Sequence, residues 1–155
     1  MRKILTSLLL LLFVNLLSAQ YEQDSAWIKD NYTKLEQYIP MRDGVKLFTS
    51  IYMPKDKSEK HPILMTRTPY SCAPYGTDFN SRLWQRYWKY YAREGYIIVT
   101  QDVRGRWMSE GEFADVRPFN KNKTGIETDE ASDTYDAIDW MIKNLPDNNG
   151  NVGVF

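Results

Sequence analysis

Residues 96–102, "YIIVTQD", are a nearly unbroken run of apolar and β-branched side chains entered directly from a segment with helical spacing, and this junction constrains the fold most. A run without polar alternation suits a strand buried on both faces of a parallel sheet. The preceding "SRLWQRYWKYYAREGY" sets Leu83, Trp84, Tyr87, Trp88 and Tyr91 at helical intervals and places Gly95 as a C-terminal cap. Further upstream, "HPILMTRTPYS" carries a short apolar run from Ile63 to Met65 that breaks at Pro69. The order is strand, helix, strand, which predicts a parallel βαβ unit.

Two patterns flank this unit. In "LEQYIPMRDGVKLFTSIYMP" two extended runs surround Arg42, Asp43 and Gly44, and the Asp-Gly pair is a strong hairpin signal. Val45, Leu47, Thr49 and Ile51 alternate with Lys46, Phe48, Ser50 and Tyr52, as a half-buried strand would. Downstream, Thr128, Asp129 and Glu130 open a second helix, acidic where the positive end of the helix dipole favours them. Its predicted apolar face is Ala131, Thr134, Ile138, Met141, Ile142 and Leu145, with Asp129, Asp133, Asp136 and Asp139 on a solvated face opposite. Pro146 stops it, and "DNNGN" leads into a last strand through Val152, Val154 and Phe155. The predicted class is α/β, an antiparallel hairpin followed by a parallel βαβ sheet. Ligands of such sheets bind beyond the carboxyl ends of the strands, so Thr68 to Tyr70, Asp102 to Arg106, and whatever follows Phe155 are the positions to watch.

The first residues, "MRKILTSLLLLLFVNLLSAQ", combine Arg2 and Lys3, an apolar run and the small pair Ser18 and Ala19. That is the layout of a secretory signal cut between Ala19 and Gln20, and the run is shorter than the ~20 residues that span a bilayer. A secreted or periplasmic chain without a stable membrane anchor is expected, with residues 20–35 as a lead segment. Twenty basic and 20 acidic residues cancel, which gives no signal for nucleic acid. Cys72 is the only cysteine, so no intrachain disulfide can form, and it reads as a small packed residue.

The chain shows no assembled catalytic motif. Ser109 precedes Glu110 and Gly111, but Trp107 stands where a G-x-S-x-G elbow needs its first glycine. Metal-ligand spacing, a phosphate-cradling loop and a dinucleotide fingerprint are all missing, so neither metal nor cofactor is expected. "QDVRGRWMSEGEF" places Asp102, Arg104 and Arg106, with Gly105 and Gly111, just past the buried strand. Two readings stand: a structural knot of ion pairs, or substrate positioning by an arginine.

"MRDGVKL", "TRTPYS", "QDVRGRWMSEGEF", "DTYDAIDWM" and "NGNVGVF" occur in an order that resembles the Xaa-Pro dipeptidyl-peptidase and cocaine esterase (CocE/NonD) family of serine hydrolases. That group includes α-amino acid ester hydrolases and glutaryl-cephalosporanate acylases, which the aromatic-rich style here resembles most. The resemblance implies that residues 36–155 are the N-terminal portion of an α/β-hydrolase domain. It also implies that "NVGVF" is a central strand running into a nucleophile elbow beyond Phe155. Tyr70 matches the family's oxyanion tyrosine, its hydroxyl donating to the oxygen that gains charge in the tetrahedral state. The family's serine, acid and histidine would lie downstream, and His61, the sole histidine, matches none of them and reads as a loop residue. A small-molecule or short-peptide acyl substrate, cleaved as ester or amide, follows from the resemblance, and the 155 residues alone are expected to be inactive and poorly soluble. Xaa-Pro dipeptidyl-peptidase specificity, or a non-catalytic secreted binding module, remain the alternatives.

Overall fold

The computed structural model describes residues 18–85, 87–115 and 117–155. The apolar leader through residue 17 lies outside the described residues, and the expected cut between Ala19 and Gln20 falls in an exposed helical turn. Helix α1 spans 18–31 and is followed by β1 (Tyr32–Pro40), β2 (Lys46–Pro54) and β3 (His61–Thr68). A single 3-10 turn (Ser81–Trp84), α2 (Trp88–Arg93), β4 (Ile97–Asp102), α3 (Glu130–Asn144) and β5 (Asn148–Val154) complete the order.

The five strands form one sheet in the order β1-β2-β4-β3-β5. β1 and β2 are an antiparallel hairpin, β2 is antiparallel to β4, and β4, β3 and β5 run parallel. The βαβ unit is thus β3, α2 and β4, with "IIVTQD" central between β2 and β3 as its lack of alternation requires. Residues of β4 still alternate by face. Ile97 and Val99 join Leu47, Ile51, Ile63 and Met65 beneath Ala137, Met141 and Leu145 of α3, while Ile98 joins Tyr32, Tyr52, Leu83, Trp84 and Ala92 with Ile28 of α1. Fully burying each such aliphatic side chain is worth about 1.5–3 kcal/mol, so the two-faced core around β4 is the main source of stability.

Three local expectations give way to tertiary context. β2 is buried along most of its length rather than on one face, because α3 covers one side and the aromatic segment covers the other. The single helix predicted over Leu83 to Tyr91 is a 3-10 turn and a six-residue helix, interrupted where Gln85 is extended (φ −111, ψ 153). Aromatic residues are weak helix formers, and the interruption lets Leu83 and Trp84 bury in the same cluster as Ala92. His61 is not in a loop: it opens β3, is buried, and its Nε2 lies 2.8 Å from the Asp56 carbonyl oxygen. β5, the last strand described, pairs with β3 among the described residues.

The cap at Gly95 is as expected. Gly95 has φ +75, its N–H donates to the Ala92 carbonyl, and the Tyr96 N–H reaches back to Tyr91, which is the Schellman pattern that ends α2. Asp129 is likewise the N-cap of α3, accepting from the Ser132 N–H while the Ser132 hydroxyl accepts from the Asp129 N–H.

Asp129 also carries a testable pH dependence. The Lys123 ammonium at 2.8 Å, joined by the Asn120 and Ser132 N–H groups, holds its carboxyl well below the usual carboxylate range. A carboxyl depressed by folding adds stability that is complete above the unfolded value of about 3.9 and is lost as pH falls through the folded value. The melting temperature is therefore expected to drop as pH is lowered below about 4, and to drop less in Asp129→Asn, which keeps a capping oxygen but cannot titrate. Thermal melts of both proteins across that range check this, and equal slopes would remove Asp129 as a source.

Candidate active site

β3, β4 and β5 are parallel, so their carboxyl ends leave the same side of the sheet. β3 delivers Thr68, Pro69 and Tyr70; β4 delivers Asp102 and the turn to Gly111; β5 ends beside β3, with the Phe155 N–H donating to the Met65 carbonyl at 3.2 Å.

Asp102 is the hub of this end. It is fully buried, and its Oδ1 accepts from the Cys72 N–H at 2.8 Å while Oδ2 accepts from the Tyr75 hydroxyl at 3.1 Å. The Met108 N–H points at the same Oδ2 from 3.4 Å. Its backbone carbonyl accepts from the Ser109 hydroxyl at 2.6 Å, and that hydroxyl accepts from the Phe48 N–H on β2 at 2.8 Å. One carboxylate and one serine thereby join β4, the 71–75 loop and the 105–111 turn to β2. Ser109 serves as a structural bridge here, in keeping with its lack of an elbow. Cys72 is packed beneath, and burial pushes its thiol up to about 12, which keeps it protonated and inert.

The loop after Tyr70 is held from its far side too. Lys34 of β1 is almost wholly buried and donates to the carbonyls of Pro74, Gly76 and Asp78 at 2.6, 2.8 and 2.9 Å. Within the loop Ser71 adopts a left-handed backbone (φ 83), with its hydroxyl 2.9 Å from that of Tyr75.

Tyr70 itself rises out of this scaffold. It is 79% exposed, although its backbone is fastened: its N–H donates to Thr68 Oγ1 at 3.0 Å. The carbonyl of Pro69, on the same peptide, accepts from Trp107 Nε1 at 2.9 Å and from Arg106 Nε at 3.3 Å. Arg106 lies over the Phe113 ring, 4.9 Å from its centroid.

Arg104 points the other way. Its Nε and Nη2 donate to Asp133 of α3 at 3.0 and 2.7 Å, and Nη1 and Nη2 donate to Asp43 of the hairpin turn at 2.7 and 3.2 Å. These contacts raise the guanidinium further above its already high value, Asp133 contributing most. Burial, the largest single influence, works against ionisation of Asp43, yet the Arg104 guanidinium together with the Val45 N–H outweighs it and the carboxyl ends below its usual range. The aspartates of α3 therefore do not form the solvated face expected of them. Asp133 and Asp129 are buried, while Ala131 and Ile142, predicted as apolar contacts, are exposed, because the helix turns its Asp133, Ala137 and Met141 line toward the sheet and Arg104 neutralises the charge this brings in.

Of the four positions singled out in the sequence, the structure brings Asp102, Arg106 and Tyr70 into one connected loop cluster and directs Arg104 into a separate knot with α3. Trp107, Tyr75, Lys34 and Arg67 were not singled out. Arg67 follows the same logic as Arg104: its Nε donates to Gln101, and its Nη1 donates to Glu130 and Thr134 on the first turn of α3. Only the run "RGRW", a large aromatic inside a glycine-flanked turn, hints at Trp107 in the sequence.

Comparison with known proteins matches this arrangement to a family. The X-Pro dipeptidyl-peptidase (S15) pattern covers residues 43–155. Cocaine esterase of Rhodococcus sp. (strain MB1 Bresler) is 33% identical over 120 residues, 76% of this chain and 18% of that protein. An aminopeptidase from a marine sediment archaeon (Thaumarchaeota archaeon) superposes with a TM-score of 0.67 at 41% identity, covering 80% of this chain and 21% of that one. An α-amino acid ester hydrolase gives a TM-score of 0.66 at 39% identity over the same shares. The chain thus spans about a fifth of the length of these relatives. The matched region contains the hairpin turn, the βαβ unit and every loop of the candidate site, and on this ground the chain belongs to the X-Pro dipeptidyl-peptidase (S15) family of hydrolases.

Proposed function

We propose that these residues supply the oxyanion-binding side of a secreted serine hydrolase that cleaves acyl ester or amide bonds through an acyl-enzyme. The observation that carries this reading is Tyr70, lifted 79% exposed from the end of β3 on a peptide fastened at both its N–H and its carbonyl. A hydroxyl on so fixed a backbone can be aimed at one point. A donor aimed where charge develops stabilises the tetrahedral state more than the substrate, which is the condition for catalysis.

In this mechanism the acyl carbon is attacked by a serine oxygen, a histidine takes the proton and returns it to the leaving group, and Tyr70 donates to the oxyanion. The serine, acid and histidine belong to sequence beyond these residues. His61, the one histidine present, sits at the opposite, amino end of β3 with its Nε2 at the Asp56 carbonyl. Asp102 and Arg106 shape the Tyr70 loop, and Arg104 anchors the turn to α3. The substrate is a small molecule or short peptide with an acyl group. Secretion belongs to the same reading, on the strength of the apolar leader ending at Ser18 and Ala19, and a mature N-terminus at Gln20 is its mark.

The test is hydrolysis of p-nitrophenyl esters by the protein encoded by the full reading frame. Tyr70→Phe is expected to lower kcat/KM by about 10²–10³-fold with an unchanged melting temperature, the range seen on deleting one oxyanion donor. Residues 20–155 alone are expected to show no turnover above their own Tyr70→Phe control. Full activity in Tyr70→Phe would reject the assignment.

A further inference from the structure

The geometry points to Trp107 as a positioning residue that sets the aim of the Tyr70 hydroxyl through the Pro69 carbonyl. This inference rests on the proposed role of Tyr70 and adds a residue that acts through it.

Trp107 is anomalous in two respects. It holds a left-handed backbone (φ 54), which a residue with a bulky side chain adopts only when its surroundings enforce it. It is also 60% exposed, so burial of the indole does not account for the conformation. What the conformation does achieve is specific: it brings Nε1 to 2.9 Å from the Pro69 oxygen. Strain of this kind is a pointer to function when an observed outlier meets a candidate site, as it does here.

The turn that carries Trp107 is itself rigidly founded. Gly105 and Glu110 close it by a backbone hydrogen bond of 2.9 Å, Met108 N–H faces the buried Asp102 carboxylate, and the Ser109 hydroxyl is on the Asp102 carbonyl. The Arg106 guanidinium, braced over Phe113, approaches the same Pro69 oxygen from 3.3 Å. The Tyr70 N–H is meanwhile held by Thr68. The peptide between Pro69 and Tyr70 is thus pinned on both edges, and Pro69 removes freedom in its own φ. With that plane fixed, φ of Tyr70 and its side-chain torsions remain to place the hydroxyl. Loss of the indole N–H leaves the carbonyl edge held only by the longer Arg106 contact, so the plane can tilt and displace the phenol tip without touching substrate.

The experiment is a double-mutant cycle in the full-length protein with a p-nitrophenyl ester. Trp107 is replaced by Phe and, separately, by β-(3-benzothienyl)alanine, which keeps the ring shape and puts sulfur in place of the N–H. Each is expected to lower kcat about 10-fold with KM changed less than twofold, since misplacement of a transition-state donor spares ground-state binding. In a Tyr70→Phe background the same replacements are expected to cost nothing further, because the group they position is gone. If Trp107→Phe fails to fold, the benzothienyl variant alone reads the donor. Wild-type kcat in the benzothienyl variant, or an equal loss in both backgrounds, overturns the positioning role and leaves that of Tyr70 intact. If Tyr70→Phe alone is without effect, the proposed function fails and this inference falls with it.

Discussion

Replacing Arg104 with alanine is expected to destabilise the protein by about 3–5 kcal/mol, the cost of breaking a buried ion pair by removing one partner. Arg104 is 5% exposed and Asp133 is fully buried, so deletion of the guanidinium strands a carboxylate that water cannot reach. Arg67 and Arg117 lie 3.7 and 3.9 Å from Asp133, too long for hydrogen bonds, and offset only part of the loss. The substitution also unties three elements at once, because Arg104 links the hairpin turn through Asp43, the loop after β4, and α3. Urea unfolding of Arg104→Ala against wild type measures the effect. An Arg104→Ala, Asp133→Ala double variant is expected to recover part of the stability, since it removes the stranded charge along with its partner. A loss below about 1 kcal/mol in the single variant would show that the knot is solvated and that α3 is held by its apolar contacts alone.

Gly105→Ala is the second large effect. Gly105 has φ +67, and a Cβ there would run into the backbone of Phe113 and Glu112, with the Glu112 Cα at 2.9 Å. Two penalties combine: a left-handed backbone imposed on a residue with a side chain, about 1–3 kcal/mol, and overpacking against main chain that cannot rotate away, about 1–3 kcal/mol more. About 3 kcal/mol or more is expected, and the damage reaches the site, because the displaced turn carries both donors to the Pro69 carbonyl. The proposed ester hydrolysis by the full reading frame is therefore expected to fall in the fraction that stays folded, which separates this variant from a remote destabilising one. A melt and a kcat measurement on the same preparation check both effects. The neighbouring Gly111 is confined as well: its φ is +88, and its Cβ position lies 2.9 Å from Cγ of Arg104, whose guanidinium is tied to Asp43 and Asp133.

The elements most legible in the sequence are those whose signal is local. Asp43 and Gly44 mark their hairpin, Asp129 marks the start of α3, Gly95 ends α2, and the apolar run at β4 marks a central strand, each by a preference acting over a few residues. Tyr70 was legible in a different way, through likeness to a family and not through any property of its neighbours. The predicted helix over Leu83 to Tyr91 is broken in two because periodicity counts apolar spacing and cannot weigh seven aromatic rings competing for one face of a sheet.

By itself, then, the sequence determined most of the strands, the span of α3, several of the turns, and the assembly as α/β, since these follow from backbone preference and short-range patterning. The tertiary structure alone decided which charges meet. Asp43 and Arg104 are 61 residues apart, and Trp107 reaches a carbonyl 38 residues back. Pairings of this kind carry no local signature, because an arginine or an indole N–H has the same preferences whichever acceptor the fold brings to it. Only the sheet order and the packing of α3 place Asp133 where its burial makes sense, and only the turn after β4 sets an indole N–H against the peptide that aims Tyr70.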